Sequence, residues 1–456
     1  MKIYNSLTGR KENLNPLEKD KVKIYVCGMT VYDDCHIGHA RTFVCFDMVV
    51  RYLRLRNFKV DYVRNITDVD DKIINRAKEN GEDPGSLTKR FIKRMNLDFN
   101  SLGMLQPDQE PRATENIKII IDLISRLLEL NYAYEVEGDV YFSINSFKDY
   151  GKLSNQKIGD IISGARIDVN TKKINPADFT LWKRTDSSLA WDSPWGKGRP
   201  GWHVECSAMS MNELGESFDI HAGGVDLKFP HHENEIAQSE AITGKDLAKL
   251  WMHTGPLRVN KEKMSKSLDN FLTIREALKN HSPEVLRYFL LSSHYRSPIN
   301  YTTDALEDAE SSVERMYHSL LDVDGTSKEI LQGKHTKAFL EAMDDDFNVP
   351  EALAVVFELV KDINKEKKQG KQEEAKFLAS ELRFLCAPLG LLRQNPKHFL
   401  RSGLVVDDSE INSLIKKREQ ARDEGDFQTA DNIREELLEK NIVLEDSEEG
   451  TFWRKG

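Results

Sequence analysis

At 456 residues, with 39% hydrophobic and 31% charged side chains, the chain has the length of about three domains and the balance of an ordinary soluble globular protein. A formal net charge of -10 excludes non-specific nucleic-acid binding over the whole surface, though not a local basic patch. The scattered cysteines, Cys27, Cys35, Cys45, Cys206 and Cys386, make no disulfide framework in a chain of this size and point to reduced thiols and a metal.

In chain order, Met1–Asn5 has no apolar core of signal-peptide length and no stretch approaches a membrane span, so a cytoplasmic protein is expected. Lys23–Val26 reads as a short strand and Phe43–Asn57 carries apolar residues at helical spacing. A second strand, Val60–Arg64, runs into Asn65-Ile66-Thr67-Asp68 and a polar helix. This β, α, β, α order over residues 20 to 100 is the first half of a doubly wound, Rossmann-like nucleotide-binding sheet. Arg112–Leu130 reads as an amphipathic helix, and Tyr132–Phe142 as strands around a turn at Glu137-Gly138. From there to Pro200 the helical period lapses, which marks an insertion between the two halves of the sheet. The second half resumes at Phe218–His221, followed by Ala222-Gly223-Gly224, a helix that Pro230 starts as its N1 residue, and a strand near Leu250–His253.

After Asn300 the pattern is almost wholly helical, with breaks at Asn348-Val349-Pro350 and Pro388-Leu389-Gly390. A polar linker at Ser402–Ser409 leads to a last small domain, whose helix Ile411–Arg422 is basic at Lys416, Lys417, Arg418 and Arg422. The expected divisions are 1–110 and 201–257 for the halves of the nucleotide-binding domain, 111–200 for the insertion and 258–300 for a lysine-loop region. Residues 301–400 are then a helical bundle and 401–456 a C-terminal domain. No internal repeat is visible.

Two short elements carry the chemistry. His36-Ile37-Gly38-His39 falls where a strand turns into a helix, a place where free backbone N–H groups and the helix dipole favour phosphate. The imidazoles of His36 and His39 can donate to phosphate oxygens, and Gly38 leaves room for a flat base. Taken alone, the element fits a nucleotide site or merely structural histidines. Lys263-Met264-Ser265-Lys266-Ser267 reads as a polar loop whose ammonium groups can close over a triphosphate, or as a solvated basic turn. His231 and Glu235, four apart on a helix, share a face, and Cys27 and Cys206 offer further donors of zinc-binding type. Spacing alone leaves open that these are four unrelated residues.

Together the His-x-Gly-His and lysine elements match the paired motifs of the class I aminoacyl-tRNA synthetases. With Cys27, Trp202–Met209, Phe229–Gln238 and the ending Gly450-Thr451-Phe452-Trp453-Arg454, the chain resembles, over essentially its whole length, the cysteinyl-tRNA synthetases of the bacterial type. The resemblance implies ATP-dependent ligation of L-cysteine to cysteine tRNA through a cysteinyl-adenylate. It implies Zn2+, one per chain, held by Cys27, Cys206, His231 and Glu235, with His231 rather than His232 as the ligand, and Mg2+ with ATP. Zinc would select the cysteine thiolate over the serine hydroxyl. His36, His39, Lys263 and Lys266 are the implied catalytic residues and, with Asp226, the ATP contacts. Gly28, Thr67, Trp202 and His221 line the implied amino-acid pocket. Ala222 and Val225 stand where relatives can have glycine or a small polar residue, which weakens the ribose role for Asp226. The helical bundle and last domain would contact the tRNA stem and anticodon, and the protein would be a monomer without a membrane partner. The alternatives are a related ligase joining cysteine to an amino sugar, a simple nucleotidylyltransferase, and a non-catalytic tRNA-binding protein.

Overall fold

The computed structural model describes residues 1–157, 159, 172–263, 270–323, 333–401, 408–440, 442–447 and 450–455. An antiparallel hairpin, β1 (Lys2–Asn5) and β2 (Arg10–Asn13), precedes the first strand of the central sheet, β3 (Lys21–Val26). Helix α1 (Ile37–Leu55) returns the chain to β4 (Lys59–Arg64), parallel to β3 in the register Ile24 to Tyr62 and Tyr25 to Val63. The helix begins six residues before its expected start at Phe43, because His36 caps it. Its buried residues run all round the cylinder, Val44, Phe46, Met48, Val50 and Leu53 among them, as a helix sandwiched between layers requires.

Helices α2 (Asp71–Asn80), α3 (Pro84–Ser101) and α4 (Ile117–Glu129) follow. The last is shorter than the expected 112–130, since a 3-10 turn at Ala113–Glu115 precedes it. The insertion is an antiparallel sheet in the order β5 (Ala133–Val136), β6 (Asp139–Phe142), β7 (Phe179–Arg184), β8 (Gly198–Pro200). Its core joins Leu123 and Leu127 of α4 to Phe142, Leu181 and Trp182 of the strands. A helix over Trp202–Leu214 then leads to β9 (Phe218–Gly224) and β10 (Ala248–Thr254), which complete the parallel sheet in the order β10-β9-β3-β4.

β9 runs three residues past the expected strand end, so Ala222, Gly223 and Gly224 still hold sheet backbone. Because β4 and β9 flank β3 on opposite sides, the strand order reverses at β3, and a crevice opens beyond the carboxyl ends of β3 and β9. Both faces of this sheet are covered, and β3, β9 and β10 are accordingly buried along most of their length. A three-stranded sheet, β11 (Leu257–Val259), β12 (Glu262–Lys263) and β13 (Ile299–Tyr301), lies beyond β10, with β11 parallel to β13 and antiparallel to β12.

Helices over Thr303–Leu320, Lys334–Asp344, Val349–Lys368, Gln372–Cys386 and Pro396–Arg401 make up the helical region. They share one continuous core with the parallel sheet, from Ile3 and Ile24 to Leu382 and Phe399. Buried charges tie the regions together. Arg287 bonds the carboxylate of Asp47 in α1 and the carbonyl of Leu389, and Asp346 accepts from Tyr4 N–H and the Tyr295 hydroxyl, each at 2.8 Å. The final unit pairs helices Asp408–Asp423 and Phe427–Glu439 with a hairpin, β14 (Ile442–Ser447) and β15 (Gly450–Lys455), around its own small core of Ile411, Leu437, Leu444 and Trp453. Most of the predicted linker at Ser402–Ser409 lies outside the described residues.

Candidate active site and metal cluster

A cavity of about 530 Å³ occupies the crevice beyond β3 and β9. Cys27, Gly28, Thr30, His36, Gly38, His39, Trp202 and Asp226 all line it. Gly28 is required by close packing: a Cβ there would stand 1.7 Å from the Asn65 carbonyl oxygen, while its N–H donates to Asn65 Oδ1 at 2.8 Å. Lys266 lies outside the described residues, and Lys263 is described as the backbone end of β12, paired with Arg258.

The two histidines build the start of α1. The His39 N–H donates to His36 Nδ1 at 3.2 Å, and the His36 N–H donates to His39 Nδ1 at 3.4 Å. This reciprocal capping satisfies two otherwise orphaned backbone donors. With each Nδ1 committed as an acceptor, the rings carry their protons on Nε2. The rings stack with centroids 3.5 Å apart. Burial, then the neighbouring His36 and Lys72, hold the His39 imidazole well below its ordinary pKa, so it serves as a neutral hydrogen-bond donor.

The floor of the cavity is a buried cluster. Cys27 follows β3, Cys206 sits on the helix Trp202–Leu214, and His231 and Glu235 come from the turn and helix after β9. The winding Lys228–His232 contains Phe229 in an extended conformation, so the regular helix begins at Glu233 rather than at Pro230. Even so, the four-residue spacing places His231 Nε2 3.0 Å from Glu235 Oε1. Cys27 Sγ lies 3.4 Å from the same oxygen. One ligand atom from each of Cys27, Cys206, His231 and Glu235 lies within 4.8 Å of all the others.

A second set, Cys27, His221, His232 and Glu235, meets the same limit, with His221 Nε2 3.2 Å from Glu235 Oε2 and 3.5 Å from Cys27 Sγ. Around both, His203 Nδ1 meets His231 Nδ1 at 2.8 Å, and His232 Nδ1 meets His253 Nε2 at 2.9 Å. His203 and the His232-His253 pair are partners that sequence reasoning missed. Their signal was only that histidine is frequent between 203 and 253, and nothing local says which nitrogen faces which.

The electrostatics suit a cation. Burial disfavours charge on His231, yet Glu235 and Cys206 beside it raise its pKa to about 10. A bond from the Cys27 thiol, working against burial, brings Cys206 down to about 6. Burial also opposes the Glu235 carboxylate, but His221 and His231 hold it well below the usual range. The cluster thus attracts positive charge into a dry site, and sulfur, nitrogen and carboxylate donors at this separation fit a zinc ion.

The remaining predicted residues take distinct places. The Trp202 ring stacks on His231 with centroids 4.2 Å apart, forming a wall where the cavity meets the cluster. His221 is fully buried beneath the cavity, against the cluster. Thr67 is buried as well, accepting from Asn65 Nδ2 at 3.3 Å and pairing with Thr30, so that it props up the lining. Asp226 opens a 3-10 turn at the exposed rim. A Cβ on Gly224 would stand 2.4 Å from Asp226 Oδ1, so the glycine keeps space for that carboxylate.

Comparison with known proteins agrees with this geometry. Residues 13–311 match the model for the class I (C) tRNA synthetase catalytic domain, 338–393 the DALR domain and 408–454 the cysteinyl-tRNA ligase anticodon binding domain. The chain is 54% identical to a cysteine--tRNA ligase of Chromohalobacter salexigens, covering 99% of each, and 53% identical to one of Coxiella burnetii, covering 100% of each. Among solved structures, a methionyl-tRNA synthetase of Mycobacterium tuberculosis in complex with methionyl-adenylate shares the fold at TM-score 0.58 and 16% identity, over 81% of this chain and 89% of that one. With a family model matched over most of its length and relatives alike from end to end, the chain belongs to the cysteinyl-tRNA synthetases of class I.

Proposed function

We propose that the protein ligates L-cysteine to cysteine tRNA at the expense of ATP, through a cysteinyl-adenylate. The observation that carries this reading is that the metal-compatible cluster opens, at Cys27, into the same cavity that His36 and His39 line. A thiol-selecting floor and a phosphate-binding rim in one crevice are what cysteine adenylation needs.

The assigned ligands are Cys27, Cys206, His231 and Glu235, the set with two sulfur donors. Zinc bound there would supply a Lewis acid that prefers thiolate to hydroxyl. A pocket reading shape alone gains only about 1–3 kcal/mol per small group. Trp202 covers the cluster, Gly28 admits the substrate close to the backbone, and His221 and Thr67 hold the floor and wall in place. The cysteine carboxylate attacks the α-phosphorus of ATP and pyrophosphate leaves; the 2′-hydroxyl of the terminal adenosine then takes the acyl group as the anhydride bond breaks and AMP leaves. The chain provides positioning and charge stabilisation rather than a nucleophile. His36 and His39 donate from Nε2 to phosphate, Lys263 and Lys266 neutralise the departing pyrophosphate, which Mg2+ bound with ATP would also stabilise, and Asp226 accepts from the ribose.

Residues 1–110 and 201–257 are assigned to the catalytic domain, 111–200 to the connective insertion, 258–300 to the lysine-loop and stem-contact region, 301–400 to stem binding and 401–456 to the anticodon. The protein is assigned as a cytoplasmic monomer. Among the described residues no helix is long and apolar enough to cross a membrane. The test is exchange of labelled pyrophosphate into ATP without tRNA, with cysteine or serine as the amino acid. Exchange with cysteine alone is expected, and absence of exchange with any amino acid would overturn the reading.

A further inference from the structure

The cavity lining carries two side chains of fixed charge among the described residues, Asp226 and Lys72. Lys72 is the second residue of α2, held there because its N–H donates to the capping Asp70 at 2.7 Å. Its ammonium stands 5.6 Å from the ring of Tyr32, another lining residue.

Carboxylates close to it in sequence, and those beside Tyr32, have other partners. Asp70 caps α2, and Asp71 pairs with Lys183 at 2.9 Å and Arg199 at 2.7 Å. Asp33 pairs with Arg76, and Asp34 with Arg94, each at 2.5 Å. Lys72 has no carboxylate partner among the described residues. An exposed lysine at the rim of the cavity, with no carboxylate partner among the described residues, keeps its charge available to a ligand. The depressed pKa of His39, to which Lys72 contributes, agrees that the ammonium faces the phosphate-binding rim. The strand order adds a direction: Asp226 follows β9, and α2 follows β4 on the far side of β3. The ribose end and Lys72 therefore bracket the reacting centre.

We propose that Lys72 is a further substrate-contacting residue, binding the anionic oxygens where the cysteine carboxylate meets the α-phosphate of ATP. The assignment rests on the adenylation reading above. Neutral Lys72→Met is expected to lower cysteine-dependent pyrophosphate exchange by about tenfold to a hundredfold in kcat/KM. Lys72→Arg should restore much of the loss, and Lys78→Met, which removes an exposed charge from the same helix, should leave it unchanged.

A raised KM for cysteine alone would assign the contact to the carboxylate. A lowered kcat with both KM values kept would assign it to the α-phosphate in the transition state. Wild-type exchange in Lys72→Met would overturn the proposal. So would an equal loss in Lys78→Met, or a loss confined to tRNA charging, which would give Lys72 to tRNA phosphates instead. If the wild-type protein itself failed to exchange with cysteine, the ligase reading would fall first and this assignment with it.

Discussion

The two ends of the cavity are built differently. At the proposed cysteine end, Cys27, Cys206, His231 and Glu235 are fully or almost fully buried, and His203, from the helix that carries Cys206, meets the His231 ring. At the nucleotide end, His36 and His39 are half-buried, and Asp226 and Lys72 are exposed. On the function proposed above, selection would sit in a buried floor, and phosphate handling at an open rim that a large substrate can enter and leave. Substitutions at the floor should act through metal and packing, and those at the rim through rate.

The largest effect is expected at the floor. Cys206→Ser should reduce zinc per chain and abolish measurable cysteine-dependent exchange, because it replaces the donor that sits near pKa 6 with a hydroxyl that does not ionise. His232→Asn, by contrast, should keep its zinc, since His232 belongs to the competing set and bonds His253. Metal analysis of both purified variants decides between the two overlapping sets. Full zinc in Cys206→Ser with loss in His232→Asn would reverse the ligand assignment.

A smaller but still large effect is expected at the rim. If His39 donates to phosphate as proposed, His39→Ala should lower the exchange rate by roughly 10²–10³-fold with zinc retained. It also deletes half of the reciprocal cap on α1, for about 1 kcal/mol of stability. The pH dependence has a definite sign. His39 is held neutral in the folded state and its pKa is depressed, so its contribution is complete above the unfolded value near 6.5 and is lost as pH falls below it. Denaturant unfolding of wild type and His39→Gln at pH 7.5 and pH 5.5 should show the steeper acid loss in wild type. Parallel losses would remove His39 from this role.

How far the sequence revealed this contrast depends on the range of each interaction. The strand ending at Val26, the His-x-Gly-His turn and the pairing of His231 with Glu235 were legible because each is set by residues a few positions apart. Reading a helix start at Pro230 failed because Phe229 turns out of the helical conformation, although the His231 to Glu235 spacing survived it. Local pattern alone, without the family resemblance, could not say which side chains meet across long stretches of chain. Nothing local brings Cys27 to Cys206, or tells that His221 lies under the cavity rather than along its wall. The isolation of Lys72 was equally hidden, since it depends on Asp33, Asp34 and Asp71 each finding another cation.

The C-terminal unit gives the same lesson with the smallest stakes. Its helix reads as basic at Lys416, Lys417, Arg418 and Arg422, but the structure divides those charges: Lys416 and Lys417 are exposed, whereas Arg418 is buried and bonds both carboxylate oxygens of Asp446 in β14, at 2.8 and 2.9 Å. Arg418 thereby fastens the last hairpin to the helix, and Arg422 reaches Asp446 as well at 3.1 Å. The bond from Arg418 holds the Asp446 carboxyl far below the usual carboxylate range, so this fastening is present above about pH 4 and weakens as pH falls further. Asp446 is largely open to solvent, which limits the pair to at most about 1 kcal/mol. Arg418→Ala should therefore loosen the hairpin, read as faster amide exchange in β14 and β15, with pyrophosphate exchange unchanged. Lys416→Ala with Lys417→Ala should leave the hairpin protected and weaken only tRNA charging. Were Arg418→Ala to weaken charging with the hairpin still protected, Arg418 would belong with the exposed lysines as a tRNA contact, and the division of labour along this helix would fail.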